Sequence, residues 1–198
     1  LAELAGVSTL ASASIIPILM GSVWFLWGPH VLKKLLFPIV FLIFMIPVPG
    51  QVYSAVTFPL QLLVSAMSTF FGQFLSIPIY REGNIIHLPH HTLQVVQACS
   101  GLRSMISLLT LSVVLAYLTL GSNLLRAVLF VSGVPVAIFV NVVRVVAMIL
   151  AFHYFDYDLT EGALHTYFGA AIFLLAILLL VALRGLLVRW DPSPADPS

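Results

Sequence analysis

The chain has 198 residues, of which 61% are hydrophobic and 8% charged, with a net charge of +1 and a mean hydropathy of +1.14. Soluble domains carry about 25% charged residues because their surfaces face water, so a surface this poor in charge has to face lipid. The near-zero charge gives no reason to expect a nucleic-acid or acidic partner. A single cysteine excludes an internal disulfide and a cysteine-based metal cluster, and nothing in the sequence calls for a cofactor.

The chain opens on Leu1 without a methionine and without a basic n-region and h-region, so further spans are expected to precede it. Five apolar stretches reach or approach the ~20 residues that a crossing needs: Val7–Trp27, Leu35–Val48, Leu102–Leu120, Leu124–Leu150 and Thr166–Val188. The second is short and bounded by proline. In the fourth, Gly133 and Pro135 are natural kink points. Lys33 and Lys34 separate the first two stretches, Arg126 lies between the third and fourth, and Arg184 and Arg189 flank the end of the fifth. Placed on the cytoplasmic side, these cations put Val48–Ala98 and Ala151–His165 outside. The second of those loops carries Asp156, Asp158 and Glu161 and no Lys or Arg, in agreement.

Parity then makes Gln51–Ile77 a re-entrant or interfacial helix on the outer face, with Gln51, Gln61 and Gln73 among apolar residues and Pro59 in the middle. A true span with another topology is the alternative. In Tyr80–Gln97, apolar residues on both sides of Pro89-His90-His91 predict a small β-hairpin that leads into Cys99. The tail 191–198, rich in Pro, Asp and Ser, is expected to be disordered. The expected fold is therefore an all-α polytopic membrane protein, a single domain over 1–190. It would have about five transmembrane helices, a re-entrant or interfacial helix and a small outward-facing β-hairpin.

Chemistry is concentrated in three places. In A-C-S-G-L-R, residues 98–103, a helix starting near Ser100 leaves Cys99 at its N-terminal edge. Unpaired N–H groups and the helix dipole there favour a thiolate. Arg103 lies one turn deeper on the same face and favours it further. The plainer account of a free cysteine is a small buried hydrophobe. In the fourth stretch, Asn141 and Arg144 are three residues apart and form one polar spot on an apolar helix. A buried guanidinium costs several kcal/mol unless it is paired or lines a polar cavity, and snorkelling from Arg144 to the interface is the structural alternative. His165 sits where the outer acidic loop meets the last stretch. A thiol needs a base, and histidine is the usual one near neutral pH. The cluster His87, His90 and His91 competes as a metal site, but in an extended hairpin His90 and His91 point to opposite faces, so no metal is expected.

A-C-S-G-L-R at 98–103, N-V-V-R at 141–144 and L-H-T-Y-F-G at 164–169 together resemble the exosortase/archaeosortase family of membrane cysteine transpeptidases. P-I-V-F-L-I-F-M-I-P-V-P at 38–49 and R-E-G-N-I-I at 81–86 also resemble stretches of that family, and all five motifs stand in the family's order. The resemblance implies a catalytic Cys99, Arg144 and His165, supported by Arg103, Asn141 and Ser100. It implies membrane-anchored protein substrates with a C-terminal tripartite sorting signal: a short motif such as Pro-Glu-Pro, a transmembrane helix and a basic cluster. Cleavage would pass through a thioacyl intermediate to an acceptor nucleophile as yet unidentified. The site would face the outside of the cytoplasmic membrane, and more spans than are found here would be usual. The rival reading is a transporter or channel with Asn141 and Arg144 lining a solute path. A weaker one is an assembly subunit whose polar spots only hold helices together.

Overall fold

The computed structural model describes residues 2–46, 48–89, 92–95, 101–155 and 162–190. The chain divides into two units, Leu1–Val56 and Thr57–Ser198. In the first, helix α1 (Ala2–Phe41) runs through a break at Gly28, whose φ of 76° lies outside the helical range. Only glycine adopts that conformation readily, and Pro29 follows it. The two stretches expected on either side of Lys33–Lys34 thus fall in two helical segments that meet at Gly28, five residues before the lysines. A 3-10 turn, Leu42–Met45, follows, where Phe41 packs against Phe37 and Phe44. Apolar side chains point outward along α1, Phe25 being 90% exposed, as on a helix that has lipid as its solvent.

Helix α2 (Gly50–Phe74) covers nearly all of Gln51–Ile77. It is unbroken through Pro59, and its 25 residues are long and apolar enough to cross a membrane. The glutamines that marked it as interfacial have another use. Gln73 Nε2 donates to the Ile79 carbonyl at 3.1 Å, and Gln61 Oε1 accepts from Asn84 Nδ2 at 3.5 Å. Ser65 Oγ donates to the Gly83 carbonyl at 3.0 Å. These bonds clamp a small sheet onto the C-terminal half of α2.

That sheet has three antiparallel strands in sequence order, β1 (Tyr80–Glu82), β2 (Ile85–His87) and β3 (Thr92–Gln94). The expected hairpin is the β2–β3 pair, with Ile86 opposite Leu93. The additional strand β1 joins through a two-residue Gly83–Asn84 turn, Gly83 taking φ 61°, as hairpin turns with a leading glycine require. Ile86, Leu93 and Val95 face inward and are fully buried with Val64 of α2. His87 stacks on Tyr80 and lies 3.4 Å from Glu82 Oε2, so it is engaged within the sheet. His90 and His91 lie outside the described residues.

Helices α3 (Gly101–Thr119), α4 (Asn123–Phe155) and α5 (Gly162–Val188) complete the second unit. They match the third, fourth and fifth apolar stretches. The fold is the expected all-α polytopic class, with four long apolar helices, the shorter α3, and a small antiparallel sheet. Leu108, Ala137, Val140, Ala176 and Leu180 form the middle of the bundle, and Ala116, Leu120 and Leu129 one end. Arg126, read as a topology signal, also closes the α3–α4 turn. Its Nε donates to the Leu120 carbonyl at 2.7 Å and its guanidinium lies over the Tyr117 ring, as cations do at helix C-termini. Residues 123–155 form one helix through Pro135. Gly133 serves close packing: a Cβ there would stand 3.1 Å from both Leu109 Cδ2 and Ser112 Oγ.

Candidate functional site

Helix α4 runs five residues past its expected end at Leu150, to Phe155. Arg144 therefore lies 11 residues before the helix terminus, ~16 Å along the axis. It is 7% exposed. His165 stands in the first turn of α5. The two side chains meet, Arg144 Nη2 lying 3.2 Å from His165 Nε2. Beyond the level of this contact α4 continues as the support of the sheet, through Val145, Met148, Ile149 and Phe152.

The pairing also fixes a protonation pattern. A guanidinium only donates, so His165 Nε2 must accept and its hydrogen must reside on Nδ1. A doubly protonated imidazolium has no lone pair to offer, so the bond belongs to neutral His165.

Gly169 lies one turn after His165 on the same face of α5. A Cβ on it would stand 3.7 Å from Arg144 Nη2. Glycine here thus leaves a slot in which the guanidinium rests beside α5. The His–Gly spacing in L-H-T-Y-F-G was visible in the sequence, but its purpose was not, because the side chain it makes room for comes from another helix. Asn141 and Arg144 line one small cavity together with Met105 and Leu108 of α3 and Gly169, Ile172, Phe173 and Ala176 of α5. Arg144 Nε is buried and has no hydrogen-bond partner among the described residues.

Of the six residues singled out, the structure thus brings Arg144 and His165 into contact and sets Asn141 with Arg144 on one cavity. Gly101 opens α3, two residues after Cys99. Cys99 and Ser100 lie outside the described residues. So do Asp156, Asp158 and Glu161 of the acidic loop, and the tail 191–198. Arg103 is in the first turn of α3, where only its backbone is described. Among the described residues no group of His, Cys, Asp and Glu is arranged to hold a metal ion.

No curated protein and no solved structure matches the chain. The sequence model of the transmembrane exosortases matches residues 1–182, nearly the whole length. A buried arginine bonded to a histidine inside a bundle of membrane-type helices thus belongs to a member of the transmembrane exosortase family.

Proposed function

We propose that this membrane exosortase is a cysteine transpeptidase in which Cys99 is the nucleophile, His165 the proton carrier and Arg144 the oxyanion and substrate-positioning group. The observation that carries the reading is the 3.2 Å contact between Arg144 and His165 inside an apolar bundle. Two polar side chains from separate helices are held together there at a cost that packing alone does not require. Met105, six residues on from Cys99, lines the same cavity as Arg144, which supports placing the start of α3 near that pair.

In the proposed reaction Cys99 Sγ attacks the scissile carbonyl carbon, and Arg144 Nη2 swings from His165 Nε2 to the oxyanion as charge develops. That frees the Nε2 lone pair, which takes the thiol proton. Collapse of the tetrahedral species breaks the C–N bond, and the Nε2 proton goes to the leaving amine. The acceptor nucleophile then attacks the thioacyl carbon and gives its proton to His165; collapse breaks the C–S bond, and that proton returns to the departing Cys99 sulfur. Arg103, Asn141 and Ser100 support these groups. The substrates are membrane-anchored proteins with a C-terminal tripartite sorting signal of the Pro-Glu-Pro kind. The enzyme is a multi-pass protein of the cytoplasmic (inner) membrane with its site facing outward.

The rival solute path is not favoured. The cavity that Asn141 and Arg144 line is about 30 Å³, the room of roughly one water. The test is processing of a co-expressed substrate bearing the tripartite signal. Cys99→Ala and Cys99→Ser should abolish it, and Arg144→Lys should fail as well, because a point charge does not replace a planar fork. Intact processing by Cys99→Ala would show the mechanism to be wrong.

A further inference from the structure

The cavity between α3, α4 and α5 is apolar except for two side chains, Asn141 and Arg144. Arg144 is 7% exposed, and its Nε–H is buried without an acceptor among the described residues. A buried donor left unmet carries its full desolvation penalty. A site for water needs about 10–15 Å³ and two to four polar partners. This cavity offers about 30 Å³ and a polar group from each of the two residues. Asn141 and Arg144 are three residues apart on one helix, which puts them on the same face, and both line this cavity.

We propose that this cavity is a binding site for a single structural water, which accepts from Arg144 Nε and donates to Asn141 Oδ1. Asn141 is then a positioning residue: it acts through the water on the guanidinium. The Nε edge of Arg144 is tethered to α4, and Nη2 is directed at His165 on α5. A fork tethered at its Nε edge keeps Nη2 within reach of the histidine and of the oxyanion that develops beside it. An apolar residue at 141 would leave the water one partner short and the Nε edge loose. The role in catalysis rests on the reading of Arg144 as a site residue; the water bridge itself does not.

The test compares Asn141→Ser with Asn141→Ala in the full chain in lipid nanodiscs, since the two differ by one hydroxyl and leave similar space. Thermal unfolding followed by circular dichroism should give Asn141→Ser a midpoint within ~1 °C of wild type, and Asn141→Ala one lower by about 3–8 °C. In an Arg144→Met background the Asn141→Ala change should cost less than ~1 °C. The bridge is overturned if Ser and Ala lower the midpoint equally, or if the Ala penalty persists without the arginine. Should Arg144→Met not fold, the Ser–Ala comparison decides alone. For processing, Asn141→Ala should lower kcat by about 10- to 100-fold with KM unchanged, and Asn141→Ser should restore most of it. Stability coupling with no processing by wild type would sink the transpeptidase reading and leave the bridge standing. Processing by wild type without the stability coupling would sink the bridge alone.

Discussion

Replacing Gly133 by alanine places a methyl group of α4 against Leu109 and Ser112 of α3. The new Cβ would lie 3.1 Å from Leu109 Cδ2 and 3.1 Å from Ser112 Oγ. Leu109 can swing its methyl away, but Ser112 cannot yield so easily, because its Oγ is bonded to the Leu109 carbonyl at 2.7 Å. Overpacking of this kind costs about 1–3 kcal/mol. Against it stands the helix preference of alanine over glycine, at most ~1 kcal/mol. The net is a loss of about 1 kcal/mol, or ~2–4 °C in the unfolding midpoint of a chain this size. Circular dichroism in nanodiscs measures it, and Ser112→Ala supplies the control. With the hydroxyl gone, Gly133→Ala should cost nothing, giving a coupling of about 1 kcal/mol between the two sites. A midpoint that rises in Gly133→Ala alone would mean that helix preference outweighs the contact, and the account of a close helix crossing would fall.

Gly169→Ala should keep processing near wild type, since its methyl meets Arg144 Nη2 at an ordinary 3.7 Å. Gly169→Val should lose at least about tenfold, because its branches fill the slot of the guanidinium; equal activity of the two variants would sink this role. At the sheet, Gln73→Ala should lower stability by about 0.5–1.5 kcal/mol through loss of the bond to the Ile79 carbonyl. Gln73→Glu should be no better, since a carboxylate cannot donate to a carbonyl; a Glu variant as stable as wild type would refute the clamp.

That Arg144 and His165 reach one level was legible in the sequence, because an arginine in an apolar run cannot shed its charge and has to be paired, line a polar cavity or reach an interface. Their direct contact was not, because the expected partners were Asn141 for the arginine and Cys99 for the histidine. Membrane class and the apolar stretches followed from composition just as directly. Other features depended on contacts that no local pattern encodes. Gln61 and Gln73 read as polar residues turned to an interface, whereas their partners Asn84 and Ile79 lie in or beside a sheet formed later in the chain. The third strand was signalled by the Gly83–Asn84 pair in R-E-G-N-I-I, a two-residue hairpin signature that was outweighed by the Pro-His-His stretch. Gly28 followed by Pro29 marked the kink of α1 better than Lys33–Lys34 did. Gly133 looked like a hinge because its use, the approach of Leu109 and Ser112, belongs to a neighbouring helix.

Helix α4 holds the sheet through Val145, Met148, Ile149 and Phe152, shapes the cavity through Ala137, Val140, Asn141 and Arg144, and meets α3 at Gly133. A helix engaged on so many sides has few positions free to drift. Over evolutionary time it would change slowly, and substitutions in it would have to come in compensating pairs with α3, α5 or the sheet. The first unit obeys a looser rule: α1, with Phe25, Trp24 and Leu26 all turned outward, needs little beyond apolarity and its glycine. Within a single chain, then, packing constrains the identity of the residues on one helix and only their apolar character on another.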